Sequence, residues 1–348
     1  METMRTLWRR RLGTAVLVSA LTLLVALGSE WTHPSQAAQE VTSSSAVDLP
    51  PTTPFLMVLG VAQDAGIPQA GSHQHPAWRD PSQRRMATSL GLVDPATDSH
   101  WLFEATPDFR QQYFTLHTAA LDARLQTKDP PQNELPLSGI FLTHAHIGHY
   151  AGLMFLGHES MGARDIAVHA MPNMLQYLKT NGPWDQLVRY GNIRLQAIDK
   201  NEPVALNQRL QVTALLVPHR QEYSEVVGYR IQGPQRSVLF IPDIDSWHEL
   251  DELGVAIEDW IAAVDIAYLD GTFFANGEIP GRDMSGFPHP FISHSMQRFS
   301  TLPAAEKAKV HFIHFNHTNS AARPGSPEQA SIEAAGFNVA REGDRIGL

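Results

Sequence analysis

Short apolar runs, broken by glycine-, proline- and histidine-rich stretches, recur along this chain. Runs of four to eight residues read as buried strands, and longer segments with apolar positions three or four apart read as helices. The first strand is 55–60, followed by a glycine-punctuated loop over 61–71. Strands 86–93 and 101–103 pair around a turn at Asp94–Asp98. Pro107 opens a helix with Asp108 in its first turn, where a carboxylate suits the positive helix end. A polar connector over 124–136 delivers the chain to strand 140–142, and a helix is predicted from Tyr150 to Met161. Further strands are expected at 166–169, 193–198, 210–217, 226–231, 237–241, 265–269 and 310–313, with helices at 173–180 and 247–262. A capping-box helix starts at Ser326 and closes at Gly336, and 337–348 reads as a terminal hairpin. Strands and helices thus alternate in two successive blocks. That layout predicts an α/β fold, a four-layer αββα sandwich of two facing sheets with helices outside.

The ends of these strands carry the chemistry. Strand 140–142 runs straight into Thr143-His144-Ala145-His146-Ile147-Gly148-His149, three imidazoles within six residues. A packed core has no use for them, whereas clustered neutral imidazoles bind zinc, iron, copper or nickel. His219 follows strand 210–217, Asp243 follows 237–241, Asp270 ends the strand beginning at 265, and His314 follows 310–313. Ligands from distant segments converge if their strands lie side by side and end at one edge. His314 and His317 compete for the late position, and the strand end favours His314. His73 and His75 have ligand-like spacing, but two histidines cannot complete a tetrahedral site. Asp64, in the first loop, could reach a metal-bound ligand, although a loop aspartate is more often a turn former. The loop 275–293, which holds His289, is long and rich in glycine and proline, the type that forms a lid or substrate wall.

Composition narrows the options. The 348 residues carry no cysteine, which excludes disulfides, thiolate metal sites and a cysteine nucleophile. A formal charge of −10 gives no nucleic-acid footprint, so the expected partner is a small-molecule substrate. At the N-terminus, Arg5, Arg9, Arg10 and Arg11 precede an apolar run to Gly28, and Ser35-Gln36-Ala37 is a small-x-small cleavage site. This predicts a signal segment over 1–37, a Ser/Thr/Pro-rich spacer over 38–53 and a single domain over 54–348. The expected address is periplasmic or secreted, with contact to a membrane only through the targeting segment; an uncleaved anchor is the alternative.

The histidine run resembles the T-H-x-H-x-D-H motif of the metallo-β-lactamase superfamily, with Gly148 standing where that family has aspartate. GVAQDAGIPQAG, EATPDFRQQ, VPHRQEYSEVVGYRI, LFIPDID, LDGTFF and FIHFNHTN extend the resemblance to pyrroloquinoline quinone biosynthesis protein B and its hydrolase-like relatives. The resemblance implies a first metal site at His144, His146 and His219, a bridging carboxylate at Asp243, and a second site at His149 and His314. It places Asp270 as an acidic catalytic residue and His289 as a further active-site histidine, unless His289 is an ordinary loop residue. Three imidazoles leave a zinc ion its charge and an open position, so bound water, with a pKa of roughly 7, becomes a hydroxide nucleophile. With no side chain at 148 the second site is one oxygen short. One tight zinc and a second, weaker ion are expected, unless Asp245, Asp270 or a water completes the set; His149 could then stand behind a ligand rather than be one. By the same count, Gly148→Asp should strengthen the second site.

These features imply an exported hydrolase acting on an ester, lactone, amide or phosphodiester. An Fe2+-dependent, oxygenase-like role in quinone-cofactor maturation is the alternative, and a metal-binding protein without turnover the third reading.

Overall fold

In the computed structural model, which describes residues 50–132 and 135–348, the apolar runs are strands covered on both faces. β1 (Phe55–Gly60) shows why they lack polar alternation. Leu56 and Val58 join a core lying between two sheets, whereas Phe55, Met57 and Leu59 join a second core that includes helix residues. A strand buried on both sides has no solvent face to mark.

The first sheet holds β1, β2 (Ser89–Asp94), β3 (Ser99–Phe103), β4 (Gly139–Phe141), β5 (Ile166–Ala170), β6 (Ile193–Ala197) and, at its edge beside β1, β14 (Arg345–Gly347). The second holds β7 (Pro203–Ala205), β8 (Gln211–Leu216), β9 (Val227–Gln232), β10 (Ser237–Ile241), β11 (Ile266–Asp270), β12 (Val310–Ile313) and β13 (Asn338–Val339), in sequential order. In the first sheet β14 through β3 pair antiparallel and β3 through β6 parallel. In the second, β7 through β10 are antiparallel and β10 through β13 parallel. Two successive antiparallel pairings restore direction. β1, β3 and β4 therefore share one orientation, as do β8, β10, β11 and β12, and in each sheet their C-terminal ends open on a single edge. The helix Phe109–Leu125 covers the first sheet through Phe109, Leu116, Ala119 and Ala120. Residues of Trp247–Glu252, Ile257–Ala262 and Pro327–Ala334 join the core of the second. This is the expected αββα sandwich.

Three expectations about elements give way. The helix predicted from Tyr150 is one α turn, Ile147–Tyr150, followed by a 3-10 segment, Ala151–Leu156. Tertiary bonds displace the helical ladder: Ala105 donates its N–H to the His149 carbonyl and Gly152 donates to the Ala105 carbonyl. The helix predicted over 247–262 is two short ones, parted at Gly254, whose φ of +79° ends the first. The terminal hairpin is not a hairpin: β13 lies against β12 and β14 against β1, so the chain end joins both sheets. The signal segment 1–37 and spacer residues 38–49 lie outside the described residues. Among the described residues no helix is long and apolar enough to cross a membrane.

Glu342 lies between β13 and β14 and accepts from the Met86 N–H at 2.6 Å. Burial, opposed by that bond and by Arg85, pushes its carboxyl from 4.5 up to about 7. The fold thus favours the protonated form. The stabilisation is complete below about 4.5 and is lost as pH rises through about 7. Glu342→Gln keeps an acceptor for Met86 without the charge. It is expected to add about 1–2 kcal/mol at pH 8, a rise of ~2–6 °C in Tm, and almost nothing at pH 4. Melting curves at the two pH values check this; equal shifts at both would refute it.

Candidate metal centre

The opened strand edges bring the candidate residues together. His144 and His146 leave β4 on an extended segment, with φ −83° and ψ 138° at His146, so they present different ring nitrogens inward. His146 Nδ1 lies 2.8 Å from His144 Nε2 and 3.2 Å from His219 Nε2. The outward nitrogens are all held. His144 Nδ1 meets Thr143 Oγ1 at 2.8 Å, His219 Nδ1 donates to Asp245 Oδ1 at 2.7 Å, and His146 Nε2 donates to Glu222 Oε2 at 3.0 Å. Such outer partners fix both the tautomer and the direction of a ligating imidazole.

A second donor set adjoins the first. His149, from the turn after β4, places Nε2 2.9 Å from Asp243 Oδ2, and His314 Nε2 is 3.3 Å from the same oxygen. Asp64 Oδ1, from the loop after β1, lies 3.7 Å from His149 Nε2. Asp243 also faces the first set, 3.8 Å from His144 Nε2 and 3.7 Å from His219 Nε2. Behind the ligand nitrogens, Glu104 Oε1 stands 3.4 Å from His149 Nδ1, and Thr272 Oγ1 3.0 Å from His314 Nδ1.

The donors fit a metal pair. His149 Nε2, His314 Nε2 and Asp243 Oδ2 are buried and make no hydrogen bond, although they lie close together. Buried polar atoms are rarely left so, and lone pairs converging from an N/O donor set are what a zinc-type cation takes. The electrostatics agree. Burial drives His144 well below its ordinary pKa, and the neighbouring imidazoles reinforce this. At Asp243 burial works upward, but the surrounding imidazoles outweigh it and hold the carboxyl well below its usual range. At His149 burial works downward and is outweighed by Glu104, Asp243 and Asp64, so the ring holds a proton well above the usual pH. A dication would displace that proton and supply the same positive charge. Of the seven non-glycine residues with positive φ among the described residues, four border this centre: Asp64, Glu104, His289 and His314. Strain of this kind persists where the surroundings over-determine the backbone, as at functional sites.

Each predicted residue has a place. His144, His146 and His219 form one set; His149, His314 and Asp243 form the other. His289 lies beside them, its Nδ1 3.5 Å from Asp243 Oδ1. Asp270 stands one step back. It accepts from His289 Nδ1 at 2.8 Å, from the Thr272 N–H and hydroxyl, and from the Ile244 N–H, so it positions His289 and does not face the donor sets. Asp245 serves His219 in the same way. Neither fills the place left at position 148, contrary to the ligand count; Asp64 lies there. His317 is apart from both sets, and its carbonyl receives His75 Nε2 at 3.0 Å. His75 Nδ1 accepts from the Ala77 N–H, so this histidine is occupied structurally. Glu104, Glu222, Thr143 and Thr272 escaped the sequence reading. For Glu104 a signal exists: a lone carboxylate directly after a buried strand.

The long loop is a packed wall rather than an open flap. Phe273, Met284 and Phe291 make a small core of their own with Ile279 and Phe287 against it, and Glu278 ties the loop to the Phe274 N–H and to the Thr318 hydroxyl. It ends at residue 291, two residues before the predicted boundary, where the helix Ile292–Arg298 begins.

The sequence matches the family described as beta-lactamase superfamily domain over residues 93–315. Coenzyme PQQ synthesis protein B of Xanthomonas oryzae pv. oryzae is 30% identical over 318 residues, covering 84% of this chain and 99% of that protein. The crystal structure of Zn(2+)-bound PqqB from Methylobacterium extorquens superposes with a TM-score of 0.67 at 23% identity, over 84% of this chain and 100% of that one. A diphosphatase from the PhnP family does so with a TM-score of 0.56 at 19% identity, over 85% and 97%. At these identities the two structures speak for the fold. The family match over more than half the chain, with the near full-length identity to the Xanthomonas protein, goes further: this chain belongs to the beta-lactamase superfamily, on the branch of coenzyme PQQ synthesis protein B.

Proposed function

We propose that the chain is a metal-dependent hydrolase of a small ester, lactone, amide or phosphodiester. The observation that carries this reading is the pair of donor sets sharing Asp243, with buried nitrogens and oxygen left unbonded. His144, His146 and His219 would hold the first ion; His149, His314 and Asp243 would contribute to a second. Zinc held there supplies Lewis acidity and activates water at neutral pH. The chain's own residues do the rest. Asp243 orients the attacking water between the two sets. Burial works to lower the His289 pKa, but Asp270 and Asp243 outweigh it and raise it, which suits the ring to give a proton to the leaving group. Asp270 fixes that ring's direction. The wall over 275–291 would shape access to the substrate.

The test is a panel of esters, lactones, amides and phosphodiesters with metal-loaded and chelated protein. Turnover that disappears on chelation and returns with zinc is expected. No turnover above the chelated control across the panel would leave a metal-binding protein without hydrolysis.

The Xanthomonas relative's name favours a second reading, a role in coenzyme PQQ synthesis, for which we propose iron-dependent, oxygenase-like chemistry at the same histidines. Metal content of protein taken from its native compartment separates the two: zinc supports hydrolysis, and iron with substrate-dependent oxygen uptake supports the second. We also propose action outside the cytoplasm, on the strength of the arginine-apolar-small order before residue 38. Mature protein beginning near Ala38 is expected on N-terminal sequencing; exported protein beginning at Met1 would point to an anchor.

A further inference from the structure

Gly148 and Asp64 occupy one place between them. A Cβ built on Gly148 would stand 2.5 Å from Asp64 Cα, 2.7 Å from its Oδ1 and 2.9 Å from its Cβ. Any side chain at 148 would project where the Asp64 carboxylate already lies. That carboxylate groups with His149 and His314 as a set of converging donor atoms. With Asp243 Oδ2 near both imidazoles, the second position then has four protein donors, one of them shared, enough to hold an ion that still takes a water. The first position has His144, His146 and His219 with the same aspartate, an equal count.

The loop that carries Asp64 is held to the loop that carries His314. The Phe315 N–H donates to the Val61 carbonyl at 2.8 Å, the Gln63 N–H donates to the Phe315 carbonyl at 2.8 Å, and Asn316 Nδ2 donates to Gln63 Oε1 at 2.5 Å. These bonds hold the Asp64 loop beside His314, with Asp64 Oδ1 3.7 Å from His149 Nε2. The φ of +45° at Asp64 is a conformation that glycine adopts more easily than aspartate.

We propose that Asp64 is the carboxylate ligand of the second metal position, replacing a residue at 148, and that Gly148 is the space that lets it in. The proposal rests on the reading of this centre as a metal pair and deepens it. It also replaces the expectation of one tight and one weak ion with two of comparable affinity.

The experiment is titration of metal-free protein with cobalt(II), followed by calorimetry and by the visible spectrum, on wild type, Asp64→Gly and Asp64→Asn. Glycine at 64 suits the backbone there, and asparagine keeps the side-chain shape, so a loss of metal in both variants is not a folding defect. Two equivalents are expected in wild type. In both single variants the first should be unchanged and the second weakened by about 100-fold or more. An unchanged second equivalent in Asp64→Gly and Asp64→Asn would overturn the proposal. A wild type that binds one ion only would overturn it as well, while hydrolysis by that one-ion protein would leave the hydrolase reading standing.

Discussion

Alanine at His144, His146 or His219 is expected to abolish tight metal binding and to lower turnover by about a thousandfold or more. The three nitrogens approach within 2.8 and 3.2 Å of His146 Nδ1, and removing any one leaves two imidazoles and a shared carboxylate. That remainder neither satisfies a tetrahedral ion nor holds it at a fixed point. A thousandfold loss corresponds to about 4 kcal/mol of transition-state stabilisation, within what one metal's Lewis acidity supplies. His219→Ala has a further cost, because Asp245 Oδ1 loses its donor. Elemental analysis after gel filtration at equal zinc, beside turnover on the responsive substrate, measures the effect. His317→Ala is the control: its ring is outside both donor sets, so metal content should stay at the wild-type level. Full metal in a variant at 144, 146 or 219 would remove that residue from the site, and loss of metal in His317→Ala would return it as a candidate.

The strand-end ligands were legible because strands buried on both faces are almost pure apolar runs, and a polar burst at the end of such a run stands out. His144, His219, Asp243 and His314 each announce themselves in this way. The fold followed from the same signal, since two blocks of alternating strands and helices leave few ways to cover both faces. Asp64 was legible as a loop aspartate that forms a turn or reaches a metal-bound ligand, and not as a metal ligand itself. Its placement depends on backbone bonds between residues 61–63 and 315–316, separated by some 250 positions, which no side-chain pattern records. Gly148 misled for a related reason. Counting side chains along the motif registers a missing ligand but not the space it leaves, and here that space is filled from another loop. Gly148→Asp by itself is therefore expected to cost about 1–3 kcal/mol through crowding against the Asp64 backbone, not to strengthen the second site. The terminal strands failed differently. Alternation predicts two strands but does not name their partners, and β13 and β14 found theirs in separate sheets.

Glu104→Gln is expected to weaken the second metal equivalent by about 10- to 100-fold and to leave the first unchanged. Glu104 follows β3 at a φ of +76°, is fully buried, and anchors its backbone by donating its N–H to the Phe141 carbonyl at 2.8 Å. Its Oε2 lies 3.4 Å from the Thr143 N–H, and its Oε1 faces His149 Nδ1 at 3.4 Å. A carboxylate without solvent is costly unless a cationic or strongly donating partner answers it, and His149 is that partner. The interaction also decides which His149 nitrogen turns inward. With Nδ1 directed at Glu104, Nε2 is left for Asp243 and the second ion. Glutamine has the same length but presents an amide that can turn its NH2 towards Nδ1, weakening the preference for the tautomer with Nε2 free. His144, His146 and His219 take their orientation from Thr143, Glu222 and Asp245 instead, so the first equivalent should not notice the change. Competition against a chelator of known affinity resolves the two equivalents. Equal weakening of both would mean that Glu104 supports the fold as a whole, and no weakening of either would mean that the backbone bonds of His149 to His146 and Ala105 hold it in place without Glu104.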